Sequence, residues 1–305
     1  MTAATATTAP LSWYEASARQ RIGAVVDAGS FHEFIGPELR ETSPHLGIFD
    51  LPEQFDDGIV IGRGRLDGRA LLLAAQEGRF MGGAFGEVHG AKLTGLLRAA
   101  RLLHQDVLIL FDTGGVRLQE ANAGELAIAE IMRAVIDARR AAVRVIGLIG
   151  GRAGCYGGGS LIAGTCSTLI VSEQGRISVS GPEVIETNKG VEEFDSRDRA
   201  LVWRTMGGKH RYLLGGADLF VDDEASAFRE AAIHALQAKG RCDLALLEAE
   251  QERLEQRLQR FGEAEDAVQI WQTIGINRPT DIPGLATEEF LRRAAPRREH
   301  ADDAR

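Results

Sequence analysis

The spacing of hydrophobic residues predicts a helix and then a hairpin at the start of the chain. Residues 12–27 place their apolar side chains at helical intervals and end in Asp27-Ala28-Gly29-Ser30, a typical helix stop. Over residues 58–75, two apolar runs flank Asp67-Gly68, and this dipeptide between apolar runs is a strong signal for a tight β-turn. We therefore expect an amphipathic helix followed by two antiparallel strands.

Short apolar strands alternate with amphipathic helices farther along the chain. The pattern predicts a helix over 90–103, a strand over 107–111, a helix over 125–140, a strand over 143–149, a short helix from Gly158 and a strand over 168–171. Strands that are short and apolar throughout are typical of a sheet covered by helices on both faces. The sequence therefore predicts an α/β fold.

A change in composition at Glu224 predicts a helical C-terminal segment. Leucines recur at helical spacing up to Phe261, at positions Leu244, Leu246, Leu247, Leu254 and Leu258. Such a helix could bind a partner or pack on its own domain. Because the leucine repeat is too short for a sustained coiled coil, packing on its own domain is the preferred interpretation.

The 305 residues divide into three predicted parts. Residues 1–13 are rich in Ala and Thr and contain no Lys or Arg, so we expect a flexible tail rather than a secretory signal. Residues 14–262 hold the predicted sheet and its helices and form the main domain. Residues 263–305 are expected to be a C-terminal extension that is partly flexible, because the chain ends in a charged stretch.

Charge and cysteine content narrow the class of protein. A formal net charge of -9 argues against a nucleic-acid-binding or anionic-membrane surface. No apolar run approaches the ~18 residues that a membrane-spanning helix needs. The three cysteines include no Cys-x-x-Cys pair, which fits a reducing, cytoplasmic environment. We therefore expect a cytoplasmic protein that binds neither nucleic acid nor membranes.

Two glycine-rich loops follow successive predicted strands. The strand over 107–111 leads into Gly114, Gly115 and Val116, and the strand ending at residue 149 leads toward Gly157, Gly158 and Gly159. Ligands of α/β proteins bind at the carboxyl ends of such strands. Glycine allows close approach of a ligand to the backbone, and a helix that starts there offers unpaired N–H groups. Negative charge is expected to bind at these loops.

Several kinds of site can be weighed against this pattern. No Gly-Lys-[Ser/Thr] is present, and a dinucleotide fingerprint ending at Gly157 would need glycine where Arg152 stands. Cys155 could be a nucleophile, but a small cysteine in a glycine turn is more often packing. The seven histidines show no metal-ligand spacing, so no metal site is expected. Backbone amides that stabilise an enolate oxygen, one from each loop, remain the preferred chemistry, whereas tight turns alone are the structural alternative.

The loops lie within a longer series of motifs that resembles the carboxyltransferase branch of the crotonase-like superfamily. The matching segments are Ala18–Ile22, Asp27–Glu33, Phe80–Gly90, Gly114–Glu120, Gly157–Gly159 and Gly181–Glu186. This resemblance implies an α/β fold of the ClpP/crotonase type over residues 14–262, with the helical C-terminal segment following. Residues 186–198, Trp203-Arg204 and residues 207–211 are similar to the β subunits of biotin-independent malonate decarboxylases in particular.

The resemblance implies a subunit that decarboxylates a malonyl thioester. The thioester would be carried on the CoA-like phosphopantetheine arm of an acyl carrier protein, and no cofactor would be bound directly. The implied partners are a homologous γ subunit that shares the active site at its interface, the acyl carrier protein subunit and an acyl-carrier transferase subunit. Acetyl-CoA carboxylase β subunits commonly begin with a four-cysteine zinc ribbon, whereas the first cysteine here is Cys155.

The resemblance and the loops together give candidate site residues. The catalytic candidates are the amides of Gly114, Gly115, Val116, Gly157, Gly158 and Gly159. The candidates for binding the substrate arm are Met81, Gly82, Gly83, Arg117, Gln119 and Tyr156. Met81, Val116 and Tyr156 could exclude water or simply pack in the core, and Tyr156 is a possible proton donor. Arg117 could instead form a structural ion pair with Glu120 or Glu125.

Three rival functions use the same residues differently. A biotin-dependent acyl-CoA carboxyltransferase β subunit would stabilise both the thioester enolate and the biotin ureido oxygen with these loops. A scaffold subunit would only order its partners and would not need exposed amides. A CoA hydratase or isomerase would depend on a placed acidic residue, and the sequence ties none of Asp112, Glu120 and Glu125 to that role.

Overall fold

Strands and helices alternate along the chain as the hydrophobic pattern predicts. The computed structural model describes residues 10–238 and 242–298. The strands are β1 (His32–Glu33), β2 (Ile59–Leu66), β3 (Arg69–Gln76), β4 (Val107–Phe111), β5 (Val145–Ile149), β6 (Cys155–Tyr156), β7 (Thr168–Val171), β8 (Ile177–Ser178) and β9 (Leu219–Phe220). The longer helices are α1 (Ala18–Val25), α2 (Glu87–Leu103), α3 (Asn122–Arg140), α4 (Gly158–Thr165), α5 (Pro182–Lys189), α6 (Arg199–Met206), α7 (Gly208–Leu213), α8 (Ala225–Ala235), α9 (Leu244–Phe261), α10 (Ala267–Thr273) and α11 (Thr287–Ala294).

The predicted element boundaries differ from the observed ones mainly at the starts of elements. Strands β4 and β7 have the predicted bounds, and the hairpin turns at Asp67-Gly68 as expected. Helix α1 begins later than predicted, because Ser17 caps it in a reciprocal capping box with Gln20. Helices α2 and α3 each begin three residues before the predicted position, since starts without an N-cap side-chain signal are hard to locate from periodicity.

The main sheet of the described residues has seven strands, in the order β1-β2-β3-β4-β5-β7-β9. Strands β1, β2 and β3 pair antiparallel, whereas β3, β4, β5, β7 and β9 pair parallel. Strands β6 and β8 form a separate parallel pair. The predicted α/β fold is confirmed, and the larger part of its sheet is parallel.

Apolar side chains cover both faces of this sheet. Leu108 and Leu110 of β4 face a cluster that includes residues of α1 and α8. The alternate residues of β4, such as Ile109, face a second cluster built on α2 and α3. Because successive side chains of a strand point to opposite faces, a strand that is apolar throughout must be covered on both sides. This explains the uninterrupted apolar runs in the sequence.

The N-terminal residues that the structure describes are fixed to the body. Residues 1–9 of the predicted tail lie outside the described residues. Trp13 is 0% exposed and stacks on Phe228 with ring centroids 4.2 Å apart, and Ser12 Oγ donates to Asp223 Oδ2 at 2.6 Å. The expectation of a loose chain as far as residue 13 is therefore corrected, because burying a large indole ties this segment down.

The residues after 262 join the same core as the sheet. Trp271, Ile282 and Phe290 are at most 1% exposed and belong to the cluster around α2 and α3. Arg298 donates to the carbonyl oxygens of Tyr212 and Ala217, so the chain is held down beyond the end of α11. The residues after 298 lie outside the described part of the chain.

Helix α9 confirms the predicted helical segment, and it packs on the body through only part of its apolar residues. Leu246 is 5% exposed, whereas the exposed fractions of Leu244, Leu247, Leu254 and Leu258 are 69%, 51%, 43% and 72%. Leu246 and Phe261 are buried, so the helix packs on its own domain as predicted, but four of its leucines face away from that contact. Periodicity shows which residues share a helix face, but it cannot show which face meets the body. No described helix has the length and apolar composition needed to cross a membrane.

A buried ion pair joins α1 to the end of β4. Arg21 Nη1 lies 2.8 Å from Asp112 Oδ2, and both side chains are almost fully buried. Asp112 Oδ1 also accepts a hydrogen bond from the Ala153 amide at 2.6 Å, and Arg21 Nε donates to the Trp13 carbonyl oxygen at 2.9 Å. One carboxylate thus connects α1, β4 and the loop after β5.

We expect Arg21→Met to lower the free energy of unfolding by about 3–5 kcal/mol, because it leaves the Asp112 carboxylate buried without its cation. Equilibrium denaturant unfolding measures this loss. The control is Arg98→Met, since Arg98 pairs with Glu130 on the surface with 61% of its side chain exposed; its loss should stay within about 1 kcal/mol. Equal losses in the two variants would contradict a special role for the buried pair.

Candidate active site

The two glycine loops lie side by side at the carboxyl ends of β4 and β5. The Thr113 amide donates to the Gly154 carbonyl oxygen at 2.8 Å, and the Tyr156 amide donates back to the Thr113 carbonyl oxygen at 2.9 Å. A Cβ placed on Gly157 would lie 3.2 Å from Gly115 Cα. The structure therefore brings together the two loops that the sequence singles out.

Three of the six predicted catalytic amides have no acceptor among the described residues. In the first loop, the Gly114 amide donates to the Gly82 carbonyl oxygen at 2.8 Å and the Gly115 amide donates to Thr113 Oγ1 at 3.1 Å. In the second loop, the Gly157 amide donates to the Ser178 carbonyl oxygen at 3.2 Å. The remaining amides, those of Val116, Gly158 and Gly159, have no acceptor among the described residues.

Glycine is required at two of these positions for different reasons. Gly157 has φ +55°, a left-handed conformation that other residues adopt only with strain. Gly158 is the first residue of α4, and a Cβ there would lie 2.5 Å from Cγ1 of Ile128 in α3. The second loop therefore reverses direction and enters the helix in a space that excludes side chains.

A third glycine segment, Met81–Gly83, lies against the first loop. The Gly82 carbonyl oxygen accepts the bond from Gly114, and a Cβ on Gly83 would lie 1.8 Å from the Asp112 carbonyl oxygen. Met81 is half-buried and Gly82 is exposed. The candidates for substrate-arm binding in this segment thus lie against the start of the first loop, and their binding role stays a prediction.

Arg117 lies in a buried network of ion pairs, in agreement with the alternative prediction that it forms a structural ion pair. Its Nη1 lies 2.9 Å from Asp57 Oδ2 and 2.9 Å from Glu120 Oε1, and only 1% of its side chain is exposed. Its Nη2 donates to the Asp57 carbonyl oxygen at 2.8 Å. The prediction that Arg117 contacts phosphate or pantetheine is corrected, because its guanidinium is buried and bound by carboxylates. Gln119, in contrast, is exposed.

The same network fixes the first loop to the start of α2. Glu120 Oε2 accepts the Glu87 amide at 2.6 Å, and Asp57 Oδ2 accepts the His89 amide at 3.0 Å. Carboxylates at these amides satisfy the unpaired donors of a helix start and interact favourably with the helix dipole. Phe85 adds two backbone bonds, one to each neighbour of Val116. The position of the Val116 amide is therefore tightly determined.

Asp57 is a residue that sequence reasoning missed. Its pairing with Arg117 spans 60 positions of the chain. In the sequence, Asp56-Asp57-Gly58 looks like an ordinary polar turn before a strand. Burial raises the pKa of the Asp57 carboxyl group, although the Arg117 guanidinium opposes this shift. Only the folded chain shows that the turn supports the loop.

Tyr156 packs behind the second loop. Its side chain clusters with Val202 and Met206, and its hydroxyl group is buried without a hydrogen-bond partner among the described residues. Burial raises the pKa of the phenol, so the group stays protonated at neutral pH. Core packing is thus observed, and the role of Tyr156 as proton donor stays a prediction.

Cys155 is a packing residue in this structure. Its side chain is 0% exposed, and burial raises the pKa of its thiol well above the usual value. A buried thiol that stays protonated is a poor nucleophile. Among the described residues, His, Cys, Asp and Glu side chains form no group of three that could hold a metal ion.

Comparisons with known proteins show which proteins this chain resembles. Residues 15–235 match the carboxyl transferase domain family. The malonyl-S-ACP:biotin-protein carboxyltransferase of Malonomonas rubra is 38% identical over 304 residues, covering 93% of this chain and 95% of that protein. The crystal structure of a Pseudomonas malonate decarboxylase hetero-tetramer in complex with malonate is similar with 39% identity and a TM-score of 0.79, covering 87% of this chain and 98% of that chain. A Pseudomonas malonate decarboxylase hetero-dimer matches with 36% identity and a TM-score of 0.66, over 83% of this chain and 97% of that chain.

Burial of the thiols predicts their reactivity. Cys155 and Cys166 are buried, whereas Cys242 is partly exposed. We expect a thiol reagent to modify Cys242 in the native protein and all three cysteines after unfolding, because a buried thiol is protonated and inaccessible. Reagent titration followed by mass spectrometry identifies the modified residues. Rapid native labelling of Cys155, while Cys166 stays unmodified, would reopen its assignment as a nucleophile.

Proposed function

The chain belongs to the carboxyl transferase domain family, and on this premise we propose that it is the β subunit of a malonate decarboxylase. Together with a homologous γ subunit, it would convert a malonyl thioester on an acyl carrier protein to the acetyl thioester and carbon dioxide. The observation that carries the proposal is the set of unpaired amides of Val116, Gly158 and Gly159 in two adjoining loops. Similarity to the Pseudomonas malonate decarboxylase and the Malonomonas rubra carboxyltransferase supports the substrate class.

The proposed chemistry needs donors to an oxygen rather than a base on the enzyme. The bond between C2 of the malonyl group and its carboxylate breaks, and its electron pair passes into the thioester as an enolate. Amides that are already oriented stabilise this developing oxyanion without reorganising. The Gly158 and Gly159 amides open α4, so the helix dipole adds partial positive charge at the same place. Protonation of C2 then yields the acetyl thioester.

We place the substrate arm along the third glycine segment. Gly82 and Gln119 are exposed and Met81 is half-buried, and Gly82 contacts the first loop at Gly114. A phosphopantetheine arm arriving there would bring its thioester to the Val116 amide. The arm belongs to the substrate carrier, so the chain itself needs no bound cofactor for this chemistry. Tyr156 is a weak candidate for the final proton, because its hydroxyl group is buried.

An apolar rim around the loops supports a partner subunit at the site. Leu118, Leu161 and Val179 are 86%, 44% and 64% exposed. Leu118 and Leu161 each follow a free amide by two or three residues, and the Val179 carbonyl oxygen lies 4.0 Å from the Cβ position of Gly157. Exposed apolar side chains around a polar site are typical of an interface. A homologous γ subunit that covers this rim would also exclude water from the enolate.

A biotin-dependent carboxyltransferase is the second candidate. It is favoured by the Malonomonas rubra relative, which is a malonyl-S-ACP:biotin-protein carboxyltransferase. The same unpaired amides would serve, since the thioester enolate forms in both reactions. The two functions differ only in whether the carboxyl group leaves as carbon dioxide or passes to biotin.

Removal of one amide tests the oxyanion role directly. Proline is tolerated at the first position of a helix, so Gly158→Pro deletes the N–H group of that residue. A second substitution in the same variant, Ile128→Ala, makes room for the proline ring. Relative to Gly158→Ala with Ile128→Ala, we expect the proline variant to lower kcat by about 10²–10³-fold. KM should change little. The assay is carbon dioxide release from malonyl-CoA by the chain co-purified with its γ partner. Equal kcat in the two variants would remove Gly158 from the site.

Avidin separates the two candidate functions. We expect the co-purified β and γ subunits to release carbon dioxide from the malonyl thioester at the same rate with and without avidin, because no biotin takes part. The control is a known biotin-dependent carboxylase assayed with the same avidin preparation. Release that requires an added biotin carrier, or that avidin blocks, would assign the chain to the biotin-dependent carboxyltransferases.

A further inference from the structure

The orientation of helix α9 is not explained by the proposed chemistry. The face that packs on the body carries Leu246, Glu250, Arg253 and Phe261, and Glu250 and Arg253 pair with each other at 2.8 Å. The residues Leu244, Leu247, Gln251, Leu254 and Leu258 form a stripe that is exposed; we call it the leucine stripe. The helix therefore exposes its leucines while charged side chains face the body.

The spacing of the leucine stripe indicates what kind of structure covers it. Its members are separated by three, four, three and four residues. This 3.5-residue average is the heptad spacing by which one helix packs lengthwise on another. Gln251 at the centre of the stripe is the kind of single polar residue that fixes register in such a pair. The fitting partner is thus an apolar helix rather than a small molecule.

Charges beside the stripe identify the partner's chemistry. At 3.6 residues per turn, Glu248 and Glu255 lie along the edge of the stripe that is turned away from the body. Both side chains are exposed. Glu252 is a third exposed carboxylate, and it lies farther around the helix from the leucine stripe. A helix that lies on the stripe would meet these carboxylates, and Lys or Arg residues along its edge would complement them.

A second copy of this chain does not supply that complement. In an antiparallel pair of α9 helices, Glu248 of one copy would face Glu255 of the other. This places like charges together, which disfavours an antiparallel pair of α9 helices. A partner helix with a basic edge avoids this repulsion, which points to a different chain.

We propose that α9 is a docking helix for another subunit, which lays an amphipathic helix with a basic edge along the leucine stripe. This surface is distinct from the glycine loops, and it extends the proposed heteromeric assembly by a second contact. Similarity to a malonate decarboxylase hetero-tetramer is compatible with more than one subunit contact on this chain.

Two synthetic peptides test the proposal on the full chain. Both have about three heptads with leucine at the a and d positions; one carries Lys and the other Glu at the flanking positions. We expect the Lys peptide to bind at least about tenfold more tightly in fluorescence anisotropy, and the preference to shrink as salt rises. Glu248→Lys combined with Glu255→Lys should reverse the preference.

Matched variants locate the binding surface. Leu247→Glu with Leu254→Glu should weaken binding of the Lys peptide by at least about tenfold. Leu102→Glu with Leu103→Glu is the control, since these leucines belong to α2 and are likewise exposed, at 74% and 59%. Circular dichroism verifies that both variants fold. Equal affinities for the two peptides, or equal effects of the two variants, would overturn the proposal.

Assembly experiments distinguish the partner from a second copy. In sedimentation experiments, we expect the isolated chain to form no dimer through the leucine stripe. A dimer that dissociates when Leu247→Glu is combined with Leu254→Glu would overturn the assignment to a different subunit. In the co-expressed complex, the same variant should lose one subunit that the control retains. Peptide binding is scored without substrate, so failure of the proposed decarboxylation would not affect this result.

Discussion

The buried carboxylate of Asp112 is the group on which both glycine loops depend. Asp112 follows β4 and precedes the first loop. Its carboxylate accepts a hydrogen bond from the amide of Ala153, which precedes the second loop. Backbones pack directly against it, since a Cβ on Gly78 or Gly151 would lie 2.5 Å or 2.3 Å from its carboxyl carbon. Such a charge is stable inside a protein only with a partner, and Arg21 of α1 provides it. An ion pair between the first helix and the end of β4 thus stabilises a carboxylate that contacts the segments leading into both loops.

The unpaired amides of the site follow from how the loops are held. Backbone N–H groups in a fold normally find acceptors, and amides without one occur mainly where the structure is fixed by other means. Here the Arg117 guanidinium, bound to Asp57 and Glu120, holds the first loop from the side. The Gly82 carbonyl oxygen and Thr113 hydroxyl group occupy its other donors. The Val116 donor is therefore rigidly supported, whereas the Gly158 and Gly159 donors lack acceptors because they open α4. Rigid placement is the condition for stabilising an oxyanion without reorganisation.

Helix α9 differs from the glycine loops, because the residues that suggest its role are exposed rather than buried. Four exposed leucines at heptad spacing have no structural use within the described chain, whereas Leu246 and Phe261 are enough to attach the helix. Apolar surface of this kind is normally covered in the working assembly. The glycine loops and the leucine stripe would then serve separate purposes, the first for the thioester and the second for holding subunits together.

The sequence by itself determined the α/β class, the bounds of β4 and β7, the hairpin at Asp67-Gly68 and the two glycine loops, because hydrophobic period and glycine placement are local properties of the chain. Tertiary structure decided which amides stay free, since the acceptors of Gly114 and Gly157 come from other segments. It also gave Arg117 a structural role through Asp57, 60 positions away. Periodicity located α9 but not its orientation, because the two sides of a helix are distinguished only by what packs against them.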